Sequence, residues 1–167
     1  MATASRHTHW NLQDLLPGGL EDLEQILTDI ERCVQEMEAF RPHLSDDLSV
    51  SEFLALFQRK ERLNELTARA GAYAYLHYAE DTQNPEALSL QDRINQLLTE
   101  VDNRTLFFNL WFKDLSDEAA RRYIDAAGEL SYFLEAQRRF KPYTLSEIEE
   151  KIINLKDLNG IEGLVKV

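Results

Sequence analysis

Four histidines, one cysteine and 30 acidic side chains are the groups from which this 167-residue chain would have to build catalysis or a metal site. The histidines are His7, His9, His43 and His77. No His-Glu-x-x-His or His-x-x-x-His occurs, so the spacing that presents two imidazoles from one helix face to a zinc ion is absent. None follows a glutamate by three positions, which removes the Glu-x-x-His pattern of di-iron bundles. His7-x-His9 lies in an N-terminal arm and reads as an adventitious surface pair. His77 stands among Tyr73, Tyr75 and Tyr78 and reads as a packed histidine, since no nucleophile pairs with it.

Cys33 has no partner for a disulfide and no Cys-x-x-Cys pair for zinc. It lies near an apolar stripe and is expected to be a buried structural thiol. Paired acids such as Glu21/Asp22, Asp46/Asp47 and Glu149/Glu150 read as solvated helix faces. The one basic cluster is Arg138-Arg139 with Lys141. It is expected to favour the negative end of a fifth helix and to offset nearby acids. A contact with another acidic segment is the alternative. No glycine-rich phosphate loop occurs. No catalytic, cofactor-binding or metal-binding residue is therefore assigned.

The formal net charge is −12. Such a field repels phosphate backbones and anionic membrane surfaces, so neither nucleic acid nor membrane is an expected partner. No stretch approaches the roughly 18 apolar residues of a membrane span. Met1 to Trp10 holds no apolar run of the signal-peptide kind, and a cytoplasmic location is expected.

The elements that carry these residues follow from helical periodicity. An arm covers residues 1–19, with Trp10 to Leu16 extended and Pro17-Gly18-Gly19 as a break. A bundle covers 20–160. Its first helix carries Leu20, Leu23, Ile26, Leu27, Ile30, Val34 and Met37 on one apolar stripe and ends near Phe40, before Pro42. A second begins at the Ser49/Glu52 capping box and carries Phe53, Leu56, Phe57, Leu63, Leu66, Ala70 and Tyr73. Gly71 at its middle predicts close approach of a neighbouring helix. Asn84-Pro85 opens a third helix that runs to about Phe112. Ser116 caps a fourth that breaks near Gly128. A fifth spans about Leu130 to Phe140, before Pro142. Ser146/Glu149 opens a sixth through Ile148, Ile152, Ile153 and Leu155, closed by Asn159-Gly160. The fold class is all-α: an antiparallel bundle of three long and about three shorter helices. Ile161 to Val167 reads as the truncated start of a following segment.

The end of the third helix, Leu106 to Phe112, is apolar nearly all round and must be surrounded by protein. Either it is core throughout, or Phe107, Phe108, Leu110, Trp111 and Phe112 also meet another domain or subunit.

Three segments carry a resemblance. They are Trp10-Asn11-Leu12-Gln13-Asp14-Leu15, then Ala79-Glu80-Asp81-Thr82-Gln83-Asn84-Pro85-Glu86-Ala87, then Phe140-Lys141-Pro142-Tyr143-Thr144-Leu145-Ser146-Glu147 with Glu149-Glu150-Lys151-Ile152-Ile153-Asn154-Leu155-Lys156. Over roughly residues 10–163 the chain resembles the N-terminal region of oligoendopeptidase F, of the thimet oligopeptidase clan of zinc metallopeptidases. The resemblance implies a cytoplasmic enzyme that cleaves short peptides. Its zinc is held by a His-Glu-x-x-His helix and a downstream glutamate, with the helical glutamate activating water. The N-terminal helices of that family help wall the substrate cavity. This chain lacks the zinc motif, so no ligand or base is carried over, and zinc and oligopeptide are expected only in a full-length relative. The expected role is a non-catalytic domain packed on the catalytic domain of its parent peptidase. The alternative is a free-standing helical interaction module that self-associates.

Overall fold

The computed structural model describes residues 10–160. His7, His9 and the segment 161–167 lie outside them. Every regular element described is helical: α1 (Leu20–Phe40), α2 (Val50–Glu80), α3 (Pro85–Asp114), α4 (Asp117–Ala126), α5 (Ser131–Arg138) and α6 (Glu147–Asn159). Short 3-10 turns at Arg41–His43, Gly128–Leu130 and Lys141–Tyr143 join them.

The helix starts follow local side-chain chemistry. Ser49 and Glu52 form a reciprocal capping box, as do Ser146 and Glu149. Asn84 accepts from the backbone N–H groups of Glu86 and Ala87 at 2.9 and 3.3 Å, and Ser116 accepts from that of Ala119 at 3.1 Å. α1 has no such cap at Gly19. Instead the Asp22 carboxylate reaches back to accept from the Gly18 N–H at 2.7 Å.

α1, α2 and α3 pack on one another as the three long members of the bundle. Their short connections make successive helices antiparallel. α4 packs on α2, α5 on α3 and α4, and α6 on α3. The predicted close approach at Gly71 is present: a Cβ built there would lie 3.1 Å from Leu98 Cδ1 on α3. Phe53 of α2 is the hub of the core. Its ring stacks on those of Tyr123, Phe112 and Phe108 at centroid distances of 4.3, 5.6 and 6.1 Å.

Three local expectations are corrected. Leu20, at the first position of α1, is exposed, and the buried stripe begins at Leu23. Trp10 to Leu16 is not extended throughout, because the carbonyl of Leu12 accepts from the N–H groups of both Leu15 and Leu16. That turn drives Leu16, only 1% exposed, into the core. Arg69 of α2 fixes the turn by donating to the Leu15 carbonyl at 2.8 Å. Gly19, at φ +62°, then lets the chain enter α1. α5 is also shorter than its apolar pattern implies. Gly128, at φ +58°, starts a 3-10 turn that holds Leu130, and the helix stops at Arg138 ahead of the Pro142 turn.

Candidate interaction surface

The C-terminal end of α3 is where the five aromatic and aliphatic residues singled out from the sequence lie. Phe107, Phe108 and Phe112 are buried in the bundle itself. Leu110 and Trp111 are partly exposed and line a groove of about 560 Å³ with Arg41, Leu44, Lys141 and Leu145. The Trp111 indole packs at 6.3 Å from Phe53 and 6.0 Å from Tyr123. Its buried Nε1 finds no hydrogen-bond partner among the described residues.

The basic cluster serves α3, and this corrects the expectation that it serves α5. The Arg138 guanidinium, 9% exposed, donates to the carbonyls of Phe112 and Leu115 at 2.6 and 2.8 Å and to the Asp117 carboxylate at 2.7 Å. Lys141 Nζ donates to the carbonyls of Asp114 and Leu115 at 3.0 and 2.8 Å. The last carbonyls of a helix have no partner within it, and cations placed there satisfy them and oppose the negative dipole end. Arg139 takes no part in this cap; it lies over the Tyr132 ring at 5.5 Å.

Beyond that cap the chain turns apolar outward. Twelve large hydrophobic side chains are exposed among the described residues, and nine of them fall between Tyr132 and Leu155. Tyr143 and Ile148 reach 79% and 73% exposure. None of residues 147–158 of α6 is buried. Two polar contacts help tie α6 to the bundle: Glu147 to Arg41 at 2.7 Å, and Asn154 Nδ2 to Asn103 Oδ1 at 2.9 Å. Its Ile148 and Ile152, one helical turn apart, share a face turned away from those contacts. Exposed large apolar side chains gathered in one stretch of chain make it the candidate interaction surface. Helical period runs the sixth helix through Ile148 and Ile152 but does not tell whether that face is covered.

Among the described residues the histidines and the cysteine lie apart from one another. No group of three or more His, Cys, Asp or Glu side chains is placed to hold a metal ion among the described residues. His43 packs on Phe40 with centroids 5.5 Å apart, and His77 stacks on Tyr73 at 6.0 Å. Cys33 is a buried free thiol whose pKa burial pushes up, which suits a structural role. Arg104 clamps Glu31 and Glu38, each at 2.7 Å, and its hydrogen bonds hold both carboxyls below the ordinary range.

A second concavity lies between α2, α3 and α5, with a volume of about 450 Å³. Phe57, Phe108 and Phe133 form its apolar wall. Lys60 enters it from α2 and donates to Thr105 Oγ1 at 3.1 Å. The side-chain amides of Asn64, Asn109 and Gln137, the acids Glu61 and Asp102, and Leu130 complete the lining.

Against proteins of known identity, the chain is 21% identical over 147 residues to oligopeptidase PepF of Bacillus subtilis (strain 168). That match takes in 86% of this chain and 22% of the relative, so the chain spans about a fifth of the relative's length. No family model matches the chain. No solved structure matches it either. The relationship to an oligopeptidase of this kind is distant and partial. No helix among the described residues is long and apolar enough to cross a membrane.

Proposed function

We propose that this chain is the non-catalytic N-terminal helical domain of an oligopeptidase-F-like zinc metallopeptidase that acts in the cytoplasm. It packs on the catalytic domain and forms part of the wall around the peptide-binding cavity. Zinc and the water-activating base belong to the catalytic part.

The observation that carries this reading is the match itself. It runs along 86% of the chain yet takes in 22% of a much longer peptidase, as a lone helical domain of that enzyme would. The apolar surface from Tyr132 to Ile152 supports it, because a domain that seats on another keeps an apolar face uncovered in isolation. Transcript sequence downstream of the Val167 codon tests the reading. An in-frame continuation to a His-Glu-x-x-His motif is expected, and a stop codon directly after Val167 would overturn it. Zinc-dependent, chelator-sensitive cleavage of short peptides by the purified chain alone would overturn the non-catalytic role.

The same apolar surface favours one second reading, a free-standing homodimer. Sedimentation separates the two. A stable dimer dissociated by Ile148→Glu with Ile152→Glu supports self-association, and a monomer that binds a hydrophobic dye supports the domain reading.

A further inference from the structure

We infer that the cleft between α2, α3 and α5 binds a carboxylate carried on an amide-bearing apolar body, the chemistry of an N-acylated apolar amino acid and of a peptide's carboxyl end. The inference stands on the lining of the cleft and is independent of the peptidase reading.

Lys60 is the first element. Its ammonium is half-buried and donates a single hydrogen bond, to Thr105, among the described residues. Thr105 is fully buried and gives its own proton to the Val101 carbonyl at 2.9 Å. Its oxygen is therefore a fixed acceptor that holds Lys60 Nζ in place. An ammonium has three donors, so two remain for a ligand. Asp102 lies on the same lining but makes no ion pair with Lys60 within salt-bridge distance. Burial pushes the Lys60 pKa down, and the Asp102 charge opposes that. A ligand carboxylate would take these donors in a charge-assisted bond.

The amides are the second element. Asn64, Asn109 and Gln137 come from three different helices to one cleft, and none has a side-chain hydrogen bond to the protein among the described residues. Each offers donors and an acceptor, which matches the N–H and C=O of a ligand amide. The third element is the wall, where the Phe57 and Phe133 rings stand 6.3 Å apart. Phe133 is 46% exposed, a large apolar surface left open at the mouth. An apolar body over these rings, an amide against the side-chain amides and a carboxylate at Lys60 use all three.

The rim acids Glu61 and Asp102 repel a bare anion. Binding therefore depends on all three parts of the ligand together, and simple carboxylates such as acetate are poor ligands.

Backbone amide NMR titration of the full chain tests the inference. The probes are N-acetyl-phenylalanine, its uncharged carboxamide, and the tripeptide Ala-Ala-Phe with its carboxamide. Saturable shifts at Lys60, Asn64 and Asn109 are expected for the free acids at about 10 mM or below. About tenfold or greater weakening is expected for both carboxamides, the effect of losing one charged hydrogen bond. Lys60→Met keeps the apolar stem and is expected to weaken the acids to the level of the carboxamides. Gln137→Leu, on the partly exposed α5, is expected to weaken acids and carboxamides alike. Binding of the tripeptide acid identifies a peptide end; binding of the N-acetyl amino acid alone identifies a free acylated amino acid. Equal affinity for acid and carboxamide on the unaltered chain, or no shift by any acid, would overturn the inference. That outcome leaves the reading frame beyond Val167 unaffected, so the two proposals fail separately.

Discussion

Arg138 donates to the carbonyl of Phe112 at 2.6 Å, and its guanidinium carbon also sits 5.8 Å from the centre of the same residue's ring. One side chain from α5 thus closes the end of α3 and packs on its last aromatic. Arg138→Met keeps some packing and strands the Phe112 carbonyl, while that of Leu115 keeps its bond from Lys141. A loss of about 2–3 kcal/mol is expected, read as a lower urea midpoint at unchanged slope. Arg138→Lys is expected to recover less than half of it, because a single ammonium cannot span the fork of acceptors.

Tyr123 ties α4 to the connection between α1 and α2. Its hydroxyl donates to the Leu48 carbonyl at 2.7 Å and accepts from Arg122 at 2.6 Å, and Arg122 also donates to the Leu48 and Asp46 carbonyls. In Tyr123→Phe the Leu48 carbonyl still has Arg122. The loss is therefore expected at the low end for a buried hydrogen bond, about 1 kcal/mol, with the Phe53 stacking intact. Thermal unfolding measures it. A loss as large as that of Arg138→Met would show that the hydroxyl does more than this bond.

The Arg104 clamp makes stability depend on pH. Hydrogen bonds from Arg104 hold Glu31 and Glu38 below their ordinary value of 4.5 in the folded chain. The unfolded chain therefore binds protons at acid pH that the folded chain does not, and stability rises with pH. The contribution is fully present above 4.5 and is lost as pH falls through the depressed folded values. The two carboxylates are 48% and 40% exposed, so solvent keeps the effect small. Denaturation from about pH 5 to pH 3 is expected to show a shallower decline for Arg104→Met than for the unaltered chain.

Gly71 separates propensity from packing. Alanine in a helix interior is favoured over glycine by about 1 kcal/mol. Against that, its Cβ would stand 3.1 Å from Leu98 Cδ1, the mobile end of a side chain that has to give by a few tenths of an ångström. Gly71→Ala is expected to stay within about 0.5 kcal/mol of the original, the two effects offsetting. Gly71→Leu is expected to lose about 1–3 kcal/mol by overpacking. Equal stability of both variants, by chemical denaturation, would show that α2 and α3 do not meet closely there.

What could be read from the sequence was what is local. Ser49/Glu52, Asn84-Pro85, Ser116 and Ser146/Glu149 each satisfy backbone groups within four residues, so type and spacing alone marked those helix starts. The all-round apolar end of α3 likewise announced burial. The Arg138 and Lys141 cap was misassigned because its acceptors lie 23 to 27 residues away, on another helix. Lys60, Asn109 and Gln137 gave no signal, since their meeting depends on how three helices cross. Ile148 and Ile152 carried a clear helical period, but period states only that a face is apolar, not that anything covers it.

α6 joins the bundle without placing any side chain from 147 to 158 in the core. Its 13 residues are close to the length at which a helix in water is marginal without tertiary support. Its opening is expected to take less free energy than unfolding α2 or α3, read as earlier exchange of its amides with solvent. Any surface that covers Ile148 and Ile152 contributes part of its binding energy to holding α6 shut. A helix held this way couples anything that docks on it to its own folding.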